Sequence, residues 1–214
     1  MKRLTVPYLS QVGYDAPENE LFTAISGVTG DRLNEVPWAD YPYKPEVHFK
    51  LAYTKDSLLL RYSVREKEAR AVHRNTNDPV YKDSCVEFFL SFDKRQYYNL
   101  EFNCAGVGLI GFGDSEKNRR RHLSRERVEQ VKAVCRADEA PSPNGETGWE
   151  LLLNIPFSVF EAHRITSFNG LTCTGNFYKC GDELATPHFI SWSPIDHPQP
   201  NFHLPEFFGE LLFQ

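Results

Sequence analysis

The chain has few of the features that mark membrane, nucleic-acid-binding or disulfide-framework proteins. No apolar run approaches the ~18 residues that cross a bilayer as a helix. The start, Met1-Lys-Arg-Leu-Thr-Val-Pro-Tyr-Leu-Ser10, has two basic residues but no apolar stretch, so it does not read as a signal peptide. There is no basic excess either. Against 24 Lys and Arg stand 29 Asp and Glu, a net charge of −5 that gives no general attraction to nucleic acid or anionic membranes. Methionine occurs once. The five cysteines, Cys85, Cys104, Cys135, Cys173 and Cys180, are an odd, scattered set without Cys-x-x-Cys spacing. They read as free thiols in a reducing, cytoplasmic setting, with a secreted form whose leader has been removed left open. No Walker loop and no Gly-x-Ser-x-Gly elbow occurs. Gly106-Val-Gly-Leu-Ile-Gly111 matches a dinucleotide fingerprint only loosely, and no helix pattern follows it, so it is set aside.

Aromatic residues, by contrast, are abundant. With 16 Phe, 10 Tyr, 14 Pro and 13 Gly, the composition argues for strands and turns over helices. Period-two alternation predicts strands at 47–53 and 58–64, joined by the turn Thr54-Lys-Asp-Ser57, then at 84–92 and 98–104. Further strands are expected at 128–135, 149–155, 171–179, 188–193 and 207–213, with a helical turn at 157–162 after Pro156. Residues 65–82 and 112–127 read as long polar loops. Residues 1–30 read as an irregular N-terminal segment, and Trp38, Tyr41 and Tyr43 as a flap packed on the core. So many short strands imply one all-β domain over 1–214, a two-sheet antiparallel β-sandwich of jelly-roll or immunoglobulin-like topology.

The most informative stretch runs from Asn77 to Phe92. Val86, Phe88, Leu90 and Phe92 point one way; Cys85, Glu87, Phe89 and Ser91 point the other. On the next strand Tyr98, Leu100 and Phe102 share a face with Cys104, and Asn99, Glu101 and Asn103 share the opposite one. A hairpin closed by Asp93 to Tyr97 would pair Phe92 with Tyr98, Phe88 with Phe102, Phe89 with Glu101 and Glu87 with Asn103, keeping the apolar rows together. Glu87, Glu101 and Asn103 then cluster on one face. Two carboxylates and an amide suit sugar hydroxyls or an acid/base pair, although the outer face of an antiparallel sheet is also commonly just solvated.

Other candidates are weaker. Tyr81 and Phe202 lie in Pro-containing loops, where an aromatic either stacks on a sugar or anchors its loop to the core. His73, His188, His197 and His203 lack metal-ligand spacing. Asp78 and Asp83 with loop carbonyls would suit calcium, but no EF-hand pattern is present. Arg119-Arg-Arg-His122, with Arg125 and Arg127, reads as a solvated loop in an acidic chain.

Val80-Tyr-Lys-Asp-Ser-Cys-Val-Glu-Phe-Phe89 resembles the core motif of family 9 carbohydrate-binding modules: an aromatic, Asp-Ser, then Val-Glu opening an apolar strand. Leu100-Glu-Phe-Asn103, Trp149-Glu-Leu-Leu-Leu-Asn-Ile-Pro-Phe157, Ile190-Ser-Trp-Ser193 and Phe202-His-Leu-Pro-Glu-Phe-Phe-Gly-Glu-Leu211 look like its later segments. The likeness covers roughly 30–213 and is nearest a stand-alone bacterial branch. It implies a sugar clamped between Tyr81 and Phe202, where xylanase modules of the family carry Trp, over a floor that includes Glu87 and Asn103. Glu101 falls where those modules have Arg, which reverses a charge and calls for compensation by a basic residue such as Arg74, a bound cation or one shared proton. The family's structural calcium would fall at Ile25-Ser-Gly-Val-Thr-Gly-Asp31, which has fewer carboxylates here. The resemblance implies non-catalytic binding of a terminal sugar unit in polysaccharide catabolism, with carbohydrate as the partner. Two alternatives stand beside it: a glycoside-acting enzyme using Glu87 and Glu101, and a protein-interaction module whose sugar site is lost.

Overall fold

A computed structural model describes residues 1–214, apart from the side chain of Lys117. Thirteen strands form two sheets that face each other. The smaller sheet runs β2 (Asp31–Arg32), β3 (Glu46–Tyr53), β4 (Ser57–Glu66), β10 (Thr147–Pro156) and β9 (Lys132–Ala137), paired in that order. The larger follows the order β1 (Arg3–Val6), β13 (Gly209–Phe213), β11 (Thr172–Cys180), β5 (Cys85–Ser91), β6 (Tyr97–Asn103), β7 (Gly108–Gly113) and β8 (Arg121–His122). Strand β12 (Phe189–Ser191) pairs with β11 off that path. The expected sandwich is present. One edge departs from all-antiparallel pairing, because β1 runs parallel to β13.

Alternation builds the core. Phe49, Leu51, Leu60, Tyr62, Leu151 and Leu153 of the small sheet meet Val86, Phe88, Leu90, Leu100, Phe177 and Leu211 of the large one. Phe177 is fully buried between stacked rings, 3.9 Å from Phe49 across the sandwich and 4.8 Å from Phe88 on the neighbouring strand. Two further apolar clusters lie outside the sandwich. One covers the outer face of the large sheet, where Trp38, Phe202 and Phe208 from loops pack on Phe89, Tyr97 and Tyr178. The flap expected at Trp38 and Tyr41 belongs to it, both rings packing on Phe189.

The third cluster corrects the reading of residues 1–30 as irregular. Besides β1, that segment forms the helix α1 (Glu18–Ser26), which follows Pro17 and ends at Gly27. Leu21, Phe22 and Ile25 form its buried stripe and lie over Ala52, Leu59 and Leu152 on the outer face of the small sheet. The nine residues are too few to hold a helix by propensity alone, so packing on the sheet must stabilise it. No helix among the described residues is long and apolar enough to cross a membrane.

The hairpin register also differs from expectation. Glu87 pairs with Glu101, Phe88 with Leu100, Phe89 with Asn99 and Leu90 with Tyr98. This is a slip of two residues, which leaves every side chain on its expected face, so hydrophobic pattern cannot tell the two registers apart. The turn decides between them. The Asp93 carboxylate accepts from the backbone N–H groups of Arg95 and Gln96, each at 2.8 Å, and Lys94 turns left-handed at φ 63°.

If the ring stack at Phe177 ties the sheets together, Phe177→Ala should cost about 3–5 kcal/mol, read as a lower urea midpoint. A loss under about 1 kcal/mol would contradict this packing.

Candidate functional site

The corrected register lays a row of side chains across the outer face of the large sheet: Tyr178 on β11, Glu87 on β5, Glu101 on β6 and Leu109 on β7. Above this row opens a cleft of about 460 Å³. Tyr81, Glu87, Glu101 and Phe202 all line it; Asn103 does not. Asn103 holds the neighbouring loops instead. Its amide donates to Asp83 Oδ2 and the His73 carbonyl, both at 3.0 Å, and its Oδ1 accepts from Ala105 N and Val107 N. The floor amide is Asn99, four residues earlier on the same face of β6.

Both carboxylates are nearly sealed off from water, Glu87 at 4% exposure and Glu101 at 5%. The Cys180 thiol donates to Glu87 Oε1 at 3.0 Å, and Asn99 Nδ2 donates to Glu101 Oε1 at 2.7 Å. Glu101 Oε2 is buried with no hydrogen-bond partner. Burial first, and then the charge of Glu101, push the Glu87 carboxyl well above the usual range. Burial pushes Glu101 up to about 7, against the lowering pull of its Asn99 bond and of Arg120. Facing carboxyls this dry cannot both ionise cheaply.

Arg120 was read from sequence as part of a solvated loop, and Arg74 was the basic residue offered, beside a bound cation or a shared proton, to compensate Glu101. The structure reverses the two. Arg120 lines the cleft and donates to Asn99 Oδ1, while Arg74 is exposed and its backbone N–H meets Asp78. Arg120 also stacks over the Tyr97 ring at 4.1 Å and donates to the Asp114 carbonyl at 2.8 Å. A Cβ at Gly111 would lie 2.5 Å from Asn99 Oδ1, so a glycine there gives the amide room to reach over β7.

The two aromatic candidates differ in kind. Tyr81, on the short 3₁₀ turn Val80–Lys82, is 37% exposed. Its loop is tied down where Asp182 N donates to the Tyr81 carbonyl and Lys82 pairs with Glu183 at 2.7 Å. Phe202 is 8% exposed and stacks on Tyr178 with centroids 4.1 Å apart, so it is a wall of the cleft and an anchor of its loop at once. Phe189, Asp182, His203 and His122 also line the cleft, and the sequence reading did not place them there.

The metal candidates resolve as follows. Of the four histidines, only His203 lines the cleft, where its Nδ1 meets the Tyr97 hydroxyl at 3.0 Å. His188 is buried against Lys179, which pairs with Glu66 at 2.8 Å. The calcium residues do not fit a hard-cation cage, which needs six to eight oxygens. Asp83 accepts from Val72 N, His73 N and Asn103, and Asp78 from Arg74 N and Asn75 N. Asp31 Oδ2 accepts from Trp192 Nε1 at 2.7 Å. Cys85, Glu87 and Cys180 place possible ligand atoms within 4.8 Å of one another. Burial pushes the Cys85 thiol up to about 12 and Cys180 higher than its usual range, so the two thiols stay protonated, Cys180 donating to Glu87, and do not form a thiolate ligand set.

Fold and cleft together define a β-sandwich with an open cleft on the outer face of one sheet. The family model for carbohydrate-binding family 9 matches residues 22–213, and the chain belongs to that family. It is similar over its whole length to a candidate carbohydrate-binding protein from Bacteroides uniformis, at 42% identity and a TM-score of 0.90, covering 99% of that chain. It shares its fold with a family 9 module from Caldicellulosiruptor kristjanssonii. The module solved with cellotriose is 14% identical, with a TM-score of 0.63, the match covering 100% of this chain and 94% of that one. The structure with glucose is 15% identical, with a TM-score of 0.55 and coverage of 100% and 96%. No curated protein matches the chain.

The carboxyl pair should leave a signature in stability. A carboxyl that holds its proton more tightly in the fold than in the open chain favours folding at low pH. That contribution fades as pH rises from the ordinary Glu value of 4.5 through about 7. At about 1.4 kcal/mol per pK unit, ionising Glu101 costs the fold on the order of 3 kcal/mol. His188, held neutral by burial with its pKa down to about 3, acts in the opposite sense, so wild type alone cannot isolate the effect. Glu101→Gln minus wild type can. The variant's advantage in melting temperature should grow by several degrees from about pH 5 to about pH 8. A gap that stays constant would place Glu101 in water.

Proposed function

We propose that the chain binds a terminal sugar unit of an oligo- or polysaccharide in the cleft above Glu87 and Glu101, without cleaving it, in polysaccharide catabolism. The observation that carries this reading is one cleft lined by an exposed ring, Tyr81, and by an anchored aromatic wall, Phe202 and Phe189, with a polar floor of unfilled acceptor capacity. A pyranose has two apolar C–H faces and a rim of hydroxyl donors. Aromatic walls suit the faces, and carboxylate or amide oxygens suit the rim. A volume of about 460 Å³ favours one or two sugar units over a long chain segment. Family membership supports the same class of ligand, and the relative seen with glucose and with cellotriose supplies the first compounds to try.

The arrangement of the carboxylates favours binding over hydrolysis. Glu87 and Glu101 stand side by side on adjacent strands of one sheet face. Glycoside cleavage needs one of its two carboxyls ionised as nucleophile or base, and burial raises both of these. A lost sugar site is disfavoured as well, because the cleft is open and Tyr81 is presented in it.

A glycan array with a chromogenic glycoside panel is the direct test, and a glycan bound without turnover is expected. Tyr81→Ala should weaken that binding by about 1–3 kcal/mol with little change in stability. Phe202→Ala should weaken binding and also destabilise the fold by about 3–5 kcal/mol, since it empties a stacked position. Silence on every glycan, or product release that Glu87→Gln abolishes, would overturn the reading.

A further inference from the structure

We propose that the sugar selected by this cleft carries a free amino group, a hexosamine in preference to a neutral hexose, with its ammonium seated against Glu87 and Glu101. The inference rests on the carbohydrate reading above and adds the chemical class of the ligand.

Directly opposed residues on antiparallel strands hold their Cβ atoms about 4.5–5.5 Å apart, so one small group can touch both. From the protein, Glu87 receives the Cys180 thiol, a weak donor, and Glu101 receives one amide hydrogen of Asn99. Glu101 Oε2, on a residue only 5% exposed, receives nothing. The guanidinium of Arg120 is the evident neutraliser, yet its hydrogen bonds go to Asn99 Oδ1, the Tyr97 carbonyl and the Asp114 carbonyl, with its plane over the Tyr97 ring. None of them reaches a carboxylate of the pair. Asp182 adds a third acid to the lining. The floor therefore has more carboxyls than cations to neutralise them, so burial makes them hold protons, and it has an acceptor oxygen that no protein donor reaches.

A neutral hexose would fill some of those acceptors but offers no charge to favour ionising the pair. An ammonium brings three donors, no acceptor and a unit positive charge, which is what this floor lacks. A uronic acid would meet the opposite situation, since the one guanidinium is already committed to carbonyl oxygens and would bring its carboxylate beside two others. Acetylation of the amine would remove both the charge and two of its donors.

The test is isothermal titration of the whole chain with matched sets: glucosamine, glucose and N-acetylglucosamine, then the galacto and manno counterparts, so that stereochemistry does not hide the effect. In the set that binds, the free amine should bind at least about tenfold more tightly than both the neutral and the acetylated sugar, the scale of one hydrogen bond to a charged group. Glu101→Gln and Glu87→Gln should each lose most of that ratio, with circular dichroism confirming that the variants fold. A neutral sugar bound as tightly as its amine overturns this proposal and leaves carbohydrate binding standing. So does a preference that vanishes with EDTA, because a metal ion would then hold the place of the ammonium. Failure to bind any member of these sets or any glycan on the array overturns the carbohydrate reading and this inference with it.

Discussion

The large sheet is covered on both faces, and the chemistry of the site follows from that constraint. Strands β5, β6 and β11 put Phe88, Leu100 and Phe177 into the sandwich core, as alternation requires. Their alternate residues would ordinarily face water. Here Trp38, Phe202 and Phe208 come over from loops and bury that face too. Glu87 and Glu101 are thereby dehydrated while still bordering a cleft. Dehydration makes their unfilled acceptors costly and makes a ligand that fills them correspondingly favourable. The same two glutamates on an open sheet would be an unremarkable solvated pair.

The walls depend on a second layer of polar contacts that never meets the ligand. Asp83 and Asn103 are both fully buried and bond to each other, and between them they hold the backbone of Val72, His73, Ala105 and Val107. The loop that carries Tyr81 leaves this knot one turn away and is pinned again at Asp182 and Glu183. Phe202 is fixed by its stack on Tyr178, whose hydroxyl donates to the Phe202 carbonyl at 3.3 Å. A site held this way is organised before a ligand arrives, which reduces the ordering cost of binding.

Most of the fold was legible because its strands obey period two. The pairs 47–53 with 58–64 and 84–92 with 98–104 were visible as alternation, and the sandwich follows from their number. What escaped has identifiable causes. Strand β7 is half glycine, with Gly108, Gly111 and Gly113 leaving little side-chain pattern to read. Gly108 has no room for a Cβ, which would fall 2.4 Å from the Phe102 ring, so the strand's composition reflects its neighbours. Helix α1 offered only the stripe Leu21, Phe22 and Ile25, easily lost in a polar segment. Within the site, alternation put Asn99, Glu101 and Asn103 on one face, and the register then favoured the wrong amide, because a two-residue slip is invisible to hydrophobicity. Arg120 could not be found from sequence spacing, since the β7 to β8 connection brings it to Asn99 from 21 residues away. Phe202 was found, but its anchoring role depends on Tyr178 beneath it and cannot be read from its own loop.

The central claim is that Glu87 and Glu101 form a dehydrated, mutually coupled carboxyl pair at the bottom of a sugar cleft. Carbon-13 NMR of glutamate side-chain carboxyls, titrated with pH in the presence and absence of a bound sugar, tests it most directly. The account predicts two carboxyl signals whose midpoints lie well above the ordinary 4.5, each curve shifting when the other residue is changed to Gln and both moving when sugar is added. Glutamates that all titrate near 4.5 and ignore the sugar would contradict it.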